Sequence, residues 1–501
     1  MMLDSNHLGT STSSVLKLAA VAIILGVGRI VLRIIYRLYF HPLRSFPGPK
    51  SWACSYLPST SKSLAGDAPR AYLQLHQKYG SIVRITPDNL SYSNAIVWKD
   101  VWGYRKGHDE FAKVSSSTVK TAKGQSGILS ADTTNHRRFR KQLSPAFSEK
   151  AMREQQPIIL KHVDLLVKGL GSCSGKEPQD LVKWFNWTSF DIIGRLAFGE
   201  SFGCLEKKED HPWIEAIFGS IKAGAFMSSL DRLGLNWVKR FITPSKSLQI
   251  RMMNQRFSEE KIKNRLALGE GNGDFWDQVL KIKDDQSRMS VAEMTSNASN
   301  IVLGGSETTA TLLSGCIYLL LLHPSIMEKV TAELHQHFTS SDDIDLFTVS
   351  HLAYTLAVLR ETMRIYPPVP VMAPRQVPRG GGTVDGRYLP EGTKIGCCQY
   401  AVNHLESNFR HPEQFIPERF MGYGAFRNDQ FDAFQPFSVG PRNCIGKNLA
   451  DAEMRLILAK VLWSFEFELH EKTGNWMDQK SYILWQKKPL LVHVKARSLS
   501  I

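Results

Sequence analysis

The chain has 501 residues, 43% hydrophobic and 22% charged, the proportions of a folded protein with a large core and no compositionally disordered tract. Its 62 Lys and Arg against 47 Asp and Glu leave a net charge of +15, suited to an anionic membrane or an acidic protein partner; without zinc-finger spacing or aromatic-interleaved basic runs, nucleic acid is disfavoured. Seven cysteines, an odd number with no C-x-x-C, fit neither a disulfide framework nor a zinc site and point to a reducing compartment.

After a short polar tail (1–14), residues 15–40 read as a transmembrane anchor. The run is apolar from Leu18 to Gly28 and continues through Ile30, Val31 and Leu32, close to the roughly 20 residues a bilayer requires. It exits into Arg29, Arg33, Arg37 and Arg44, a stop-transfer pattern that predicts a cytosolic location for everything downstream. Residues 41–50 end in Phe-Pro-Gly-Pro-Lys, a stiff hinge that cannot continue the helix. The Asn-x-Ser/Thr matches at Asn89, Asn186 and Asn297 then lie on the cytosolic side and read as chance.

Residues 51–501 read as one catalytic domain. Alternation from Tyr79 to Ser93 around Pro87-Asp88-Asn89 predicts a hairpin, helical periodicity dominates to about Tyr366, and a strand-and-turn region runs from Val369 to Cys398. The glycine clusters at 269–273 and 380–382 lack P-loop or dinucleotide context and read as loops. The fold class is mainly α with small, segregated β-sheets.

Three motifs carry chemistry. Ser290 and Glu293 form a capping box, and Pro324 closes a helix of about thirty residues, roughly 45 Å long at 1.5 Å per residue. Mid-helix it reads Gly304-Gly305-Ser306-Glu307-Thr308-Thr309; the two glycines admit something large against the backbone, and the acid and hydroxyls can relay protons, or the threonines merely bond back to the helix. Next, Glu361 and Arg364 share a helix face before Pro367, a spacing that alone describes a solvated ion pair. Last, "FSVGPRNCIGKNLA" (437–450) turns at Gly440-Pro441 and bends at Gly446, so that backbone N–H groups can hold Cys444 as a thiolate, with Arg442 in reach of a bound acid.

Together these residues resemble the cytochrome P-450 family of haem-thiolate monooxygenases, and "FNWTSFDIIGRLAFGESFGCL" (185–205) and "HRRFRKQLSPAFS" (136–148) are similar to membrane-bound filamentous-fungal members that tailor secondary metabolites. Phe437-x-x-Gly440-x-Arg442-x-Cys444-x-Gly446 is similar to the haem-binding loop, "GGSETT" to the oxygen-activating motif, Glu361-x-x-Arg364 with Arg419 of "PERF" to the structural triad behind the haem. The resemblance implies a haem b cofactor with Cys444 as proximal iron ligand, Glu307 and Thr308 as catalytic residues handling oxygen and its protons, and Phe437, Gly446 and Arg442 in the cofactor loop. It also implies that Arg375 and Arg140 contact haem. His136 stands where the family often has tryptophan, leaving it either a propionate donor or a surface residue.

The implied reaction inserts one oxygen atom from O2 into a C–H or C=C bond of a hydrophobic small molecule, a terpenoid, polyketide or alkaloid intermediate. No flavin or nicotinamide fingerprint is present, so NADPH electrons are expected through a separate cytochrome P-450 reductase, with cytochrome b5 as a second donor. Arg137, Arg138, Arg140, Lys141 and Lys447 are expected to steer that partner. The implied location is the endoplasmic reticulum membrane, single-pass, with the catalytic domain in the cytosol. Substrate contacts are expected from 111–129, 218–226, the Gly304 region, 369–373 and 482–485. The alternatives are a haem-thiolate isomerase or dehydratase that does not use O2, and a catalytically silent haem-binding membrane protein.

Overall fold

A computed structural model of the chain describes residues 6–105, 107, 109–114, 125–238, 245–284 and 287–497. Its first helix, α1 (Asn6–Ile35), runs into a π-helical turn at Tyr36–Phe40. Within Ser14–Phe40 an 18-residue window reaches a mean hydropathy of 2.3 and is not buried, so the span is long and apolar enough to cross a membrane. Arg37 ends this span by donating to the Cys54 carbonyl, and the hinge folds back so that the Arg84 amide reaches the Pro47 carbonyl.

Eleven more helices of eight or more residues follow among the described residues: α2 (Leu57–Leu64), α3 (Ala68–Tyr79), α4 (Thr133–Leu143), α5 (Glu149–Gly171), α6 (Leu181–Phe198), α7 (Pro212–Arg232), α8 (Ser245–Ala267), α9 (Val291–Leu322), α10 (Pro324–His337), α11 (Ala353–Ile365) and α12 (Lys447–Ser464). The expected long helix is α9, 32 residues long, with both halves of the Ser290–Glu293 capping box formed. It is the axle of the domain: Val302, Ala310, Leu313, Cys316, Ile317 and Leu320 are fully buried in the main core, against Trp184, Phe185 and Leu196 of α6 and Leu456, Ile457 and Val461 of α12.

Gly305 and Gly304 do different jobs, although both were expected to open the helix to a ligand. A Cβ on Gly305 would lie 2.5 Å from Ile193 Cδ1, so this glycine lets α6 and α9 approach; a Cβ on Gly304 would meet nothing within 4 Å.

The predicted hairpin is β1 (Ile82–Thr86) and β2 (Asn89–Tyr92), antiparallel with Ile82 opposite Tyr92. It belongs to a five-stranded sheet of order β1-β2-β5-β4-β3, where β3 is Ala112–Lys113, β4 Arg375–Gln376 and β5 Lys394–Cys397. Parallel pairing of β2 with β5 joins the N-terminal hairpin to the strand-and-turn region, and β3–β4 pairing sets Lys113 opposite Arg375. The Asn-x-Ser/Thr matches sit in structure: Asn89 in β2, Asn186 in α6, and Asn297 fully buried in α9, where its side chain accepts from the Ile128 amide.

Candidate active site

The cysteine loop is held by its backbone. The Cys444 amide donates to the Phe437 carbonyl at 2.8 Å, closing the loop, while Ser438 and Gly440 adopt φ of 58° and 72°. Gly440 is required twice over: its φ is left-handed, and a Cβ there would lie 2.0 Å from the Trp102 carbonyl oxygen. Phe437 and Ile445 pack on the main core, and Gly446 faces Phe147 before α12 begins at Lys447. Arg140, carried by α4 behind its Asp132 cap, reaches across to the Asn443 carbonyl at 2.7 Å and to its Oδ1 at 2.5 Å.

All seven cysteines are free thiols. Cys204, Cys316, Cys397 and Cys398 are buried with their pKa values pushed up, inert in chemistry, whereas Cys444 is exposed. Its accessible surface opens into a recess whose walls still raise its pKa by desolvation, and the Gly446 N–H and the Arg140 charge pull it back.

A cationic cluster flanks this loop. Arg442 is ion-paired with Glu110 and donates to the Ala131 carbonyl at 2.9 Å; Arg375, buried, lies 3.4 Å from the same carboxylate. Lys113, directly opposite Arg375 in the sheet, donates to the Leu129 carbonyl at 2.7 Å. Like charges set opposite one another in a sheet repel. Here burial, followed by Arg375 and Arg442, depresses Lys113, despite its partly accessible surface, to about 7, and burial followed by Arg442 depresses Arg375 to about 10. His136 is buried, not at the surface, and desolvation followed by Arg442, Lys113, Arg140 and Arg375 holds it down to about 3, hence neutral.

Two guanidinium groups share one carboxylate, with the Lys113 amine beside them, and that positive surplus suits an added anionic group such as one bearing acids. With an accessible thiol on a rigid loop and an unfilled glycine face on α9, the donor set fits a haem carried by Cys444 through iron and by Arg375 and Arg442 through its acids.

Mid-α9 the two expected catalytic residues diverge. Thr308 is half-exposed beside exposed Gly304, in the middle of a helix whose central turns are otherwise mostly buried; its hydroxyl donates to the Gly304 carbonyl at 2.7 Å. Glu307 is turned into the protein. Its carboxylate meets Lys487 Nζ at 2.6 Å and Thr311 Oγ1 at 3.2 Å. Desolvation raises its pKa, opposed by Lys487.

Glu361 and Arg364 form no solvated pair: both are wholly buried. Glu361 binds Arg364 (2.7 Å) and Arg419 (3.1 Å), Arg419 binds Asp429 (2.5 Å), and Arg364 also donates to the carbonyls of Asn403, Pro412 and Gln414. The steering cluster is partly engaged as well, because Arg138 is ion-paired with Glu293 and Arg140 with the cysteine loop; Arg137, Lys141 and Lys447 remain exposed.

Of the expected substrate segments, 115–124 lies outside the described residues. Leu129 and Ile483 are each 48% exposed, and Ile483, at the turn between the strands Lys480–Tyr482 and Leu484–Gln486, has φ of 85°, an outlier for a β-branched residue. Sequence reasoning missed Lys487, Glu110, Lys113 and Asp429, which belong to no local motif and reach their partners only through the fold.

Residues 47–494 match the family Cytochrome P450. The chain is 46% identical over 482 residues to averantin hydroxylase of Dothistroma septosporum, covering 95% of this chain and 91% of that one. It is 43% identical over 493 residues to versicolorin B desaturase of Aspergillus parasiticus (97% and 98% covered), and 44% identical over 470 residues to the cytochrome P450 monooxygenase stcF of Emericella nidulans (92% and 96%).

Proposed function

Because the chain belongs to the cytochrome P450 family, an oxidoreductase family, we propose that it is a membrane-anchored monooxygenase of fungal secondary metabolism that oxidises a hydrophobic intermediate of the averantin or versicolorin B kind. The observation that carries the reading is near-full-length identity of 46% to an averantin hydroxylase, combined with a complete cysteine loop. The hydroxylase, desaturase and monooxygenase relatives favour this over the isomerase or silent-protein alternatives.

Haem, when bound to Cys444, supplies the activation of O2. The chain's own residues do the rest. The closed loop from Phe437 to Gly446 presents the sulfur, and the Gly446 N–H and Arg140 favour its anionic form. Arg375 and Arg442 would hold the acids of that group, with Lys113 and neutral His136 alongside. Thr308 offers its lone pairs to oxygen in the recess, and Glu307 supplies the proton inventory behind it. Ala373, Leu129 and Ile483 are accessible apolar groups suited to a hydrophobic substrate.

Electrons are supplied by an NADPH-dependent reductase in the same membrane, endoplasmic reticulum by our reading, drawn to exposed Arg137, Lys141 and Lys447. The arginine-flanked span at 14–40 supports a cytosolic catalytic domain. The test is expression with a reductase in a host fed averantin, versicolorin B and related compounds, with products read by mass spectrometry. A product that gains one oxygen supports the proposal. Loss of two hydrogens instead identifies the desaturation that the second relative's name describes, and NADPH-independent turnover contradicts the reading.

A further inference from the structure

Glu307 and Thr308 are neighbours in sequence but, at 3.6 residues per turn, point about 100° apart around α9. Thr308 lies on the accessible side of the helix with Gly304; the Glu307 side chain, 4% exposed, faces α6 and the turn that carries Lys487. Its partner there is Lys487, whose side chain is 3% exposed and whose ammonium has three acceptors: Glu307 Oε1 at 2.6 Å, Thr311 Oγ1 at 3.0 Å and Asn186 Oδ1 at 3.2 Å. Those three bonds use all three N–H groups of a lysine.

The backbone of Lys487 runs near the surface, between exposed Gln486 and exposed Lys488, so the side chain is a rod from solvent to the buried acid. A cavity of about 10 Å³, with Asn186, Ser306 and Glu307 as its polar walls, adjoins the pair and is about the size of one water. Burial raises the pKa of Glu307 and lowers that of Lys487, each opposed by the other's charge, which brings the two proton affinities toward one another. The remaining titratable groups that feel the pair are Asp180, at the start of α6, and Tyr366, after α11.

We propose that Lys487 is the positioning residue of proton delivery: its ammonium holds Glu307 as a carboxylate against α6, beside the water-sized cavity, ready to take up a proton and pass it toward Thr308. The proposal rests on the reading that Glu307 and Thr308 manage the protons of the oxygen reaction. Each proton that Glu307 passes on is one its carboxylate has first taken up from solvent, while Lys487 stays an ammonium, so the pair returns to its starting charge.

The experiment uses the full-length, haem-loaded, detergent-solubilised chain and its variants Lys487→Met, Lys487→Arg and Glu307→Gln. Infrared spectroscopy reads the protonated-carboxyl C=O band of Glu307, identified by its loss on adding Glu307→Gln. Product and peroxide per NADPH are followed against pH with a reductase. In the wild type at neutral pH the band is absent; in Lys487→Met it appears, turnover falls on the order of tenfold, within the hundredfold or more that loss of a proton-transfer group costs, and peroxide rises. Lys487→Arg restores the carboxylate and the wild-type pH profile.

If Lys487→Met does not fold, Lys487→Gln, which keeps hydrogen-bond donors without charge, takes its place with the same expectation. Glu307→Gln that uncouples NADPH from product while Lys487→Met leaves both band and coupling unchanged overturns the role of Lys487 alone. Unchanged coupling in Glu307→Gln overturns the proton reading, and the role of Lys487 with it.

Discussion

Replacing Glu361 with glutamine tests the buried network behind the cysteine loop without changing its volume. Glu361 accepts from Arg364 Nε at 2.8 Å and Nη2 at 2.7 Å, from Arg419 Nε at 3.1 Å and from the Ile416 amide at 2.9 Å, and no part of it or of either guanidinium reaches solvent. An amide in its place keeps one accepting oxygen and turns an NH2 donor toward guanidinium donors. Two buried cations are then left with Asp429 as the carboxylate that remains. Removing one partner of a buried pair costs about 3–5 kcal/mol, because the other charge stays desolvated and uncompensated. Denaturant unfolding of Glu361→Gln, followed by far-ultraviolet circular dichroism, is expected to show a loss of that size. The network also spans from α11 to the segment leading into the cysteine loop, so haem loading falls in parallel. A change below about 1 kcal/mol, the scale of an ordinary surface substitution or less, refutes the argument that the network is sealed and charge-balanced.

Further expectations separate positions that look alike in sequence. Gly305→Ala places a methyl group 2.5 Å from Ile193 and destabilises by about 1–3 kcal/mol, whereas Gly304→Ala meets no atom, gains up to about 1 kcal/mol of helix propensity and instead alters substrate-induced spectral shifts; thermal melts and ligand titrations distinguish them. Gly440→Ala, with a left-handed φ and the Trp102 carbonyl in the way, yields a chain that is poorly loaded with haem, read from the Soret-to-protein absorbance ratio. His404, buried and bonded to the Tyr400 carbonyl, has its pKa depressed to about 3 by burial and then by Arg364. The unfolded chain therefore binds the extra proton between about 3 and the ordinary value of 6.5, and its contribution to stability, complete above 6.5, is lost as pH falls through that window. A stability-against-pH curve with a shallower acid limb in His404→Gln checks this.

Motifs that act through neighbouring residues were readable in sequence; partners distant along the chain were not. The capping box of α9, the hairpin, the span at 14–40 and the cysteine loop each follow from spacing, capping and turn chemistry within a few residues. Glu361 and Arg364 were placed on one face correctly, but an i,i+3 spacing is silent on whether that face meets water or Arg419. Lys487 lies 180 residues from the acid it binds, and nothing in "LWQKKP" distinguishes it from exposed Lys488. Two adjacent glycines likewise cannot reveal that one faces Ile193 and the other open space, since that depends on how α6 and α9 cross.

The central claim is that the loop from Phe437 to Gly446 makes Cys444 an iron thiolate. The most direct measurement is the spectrum of the purified, dithionite-reduced, CO-bound protein, compared with that of Cys444→Ala. A strongly red-shifted Soret band in the wild type that disappears in the variant is the predicted result. A wild-type band without that shift, or a shifted band that survives the loss of Cys444, contradicts the assignment.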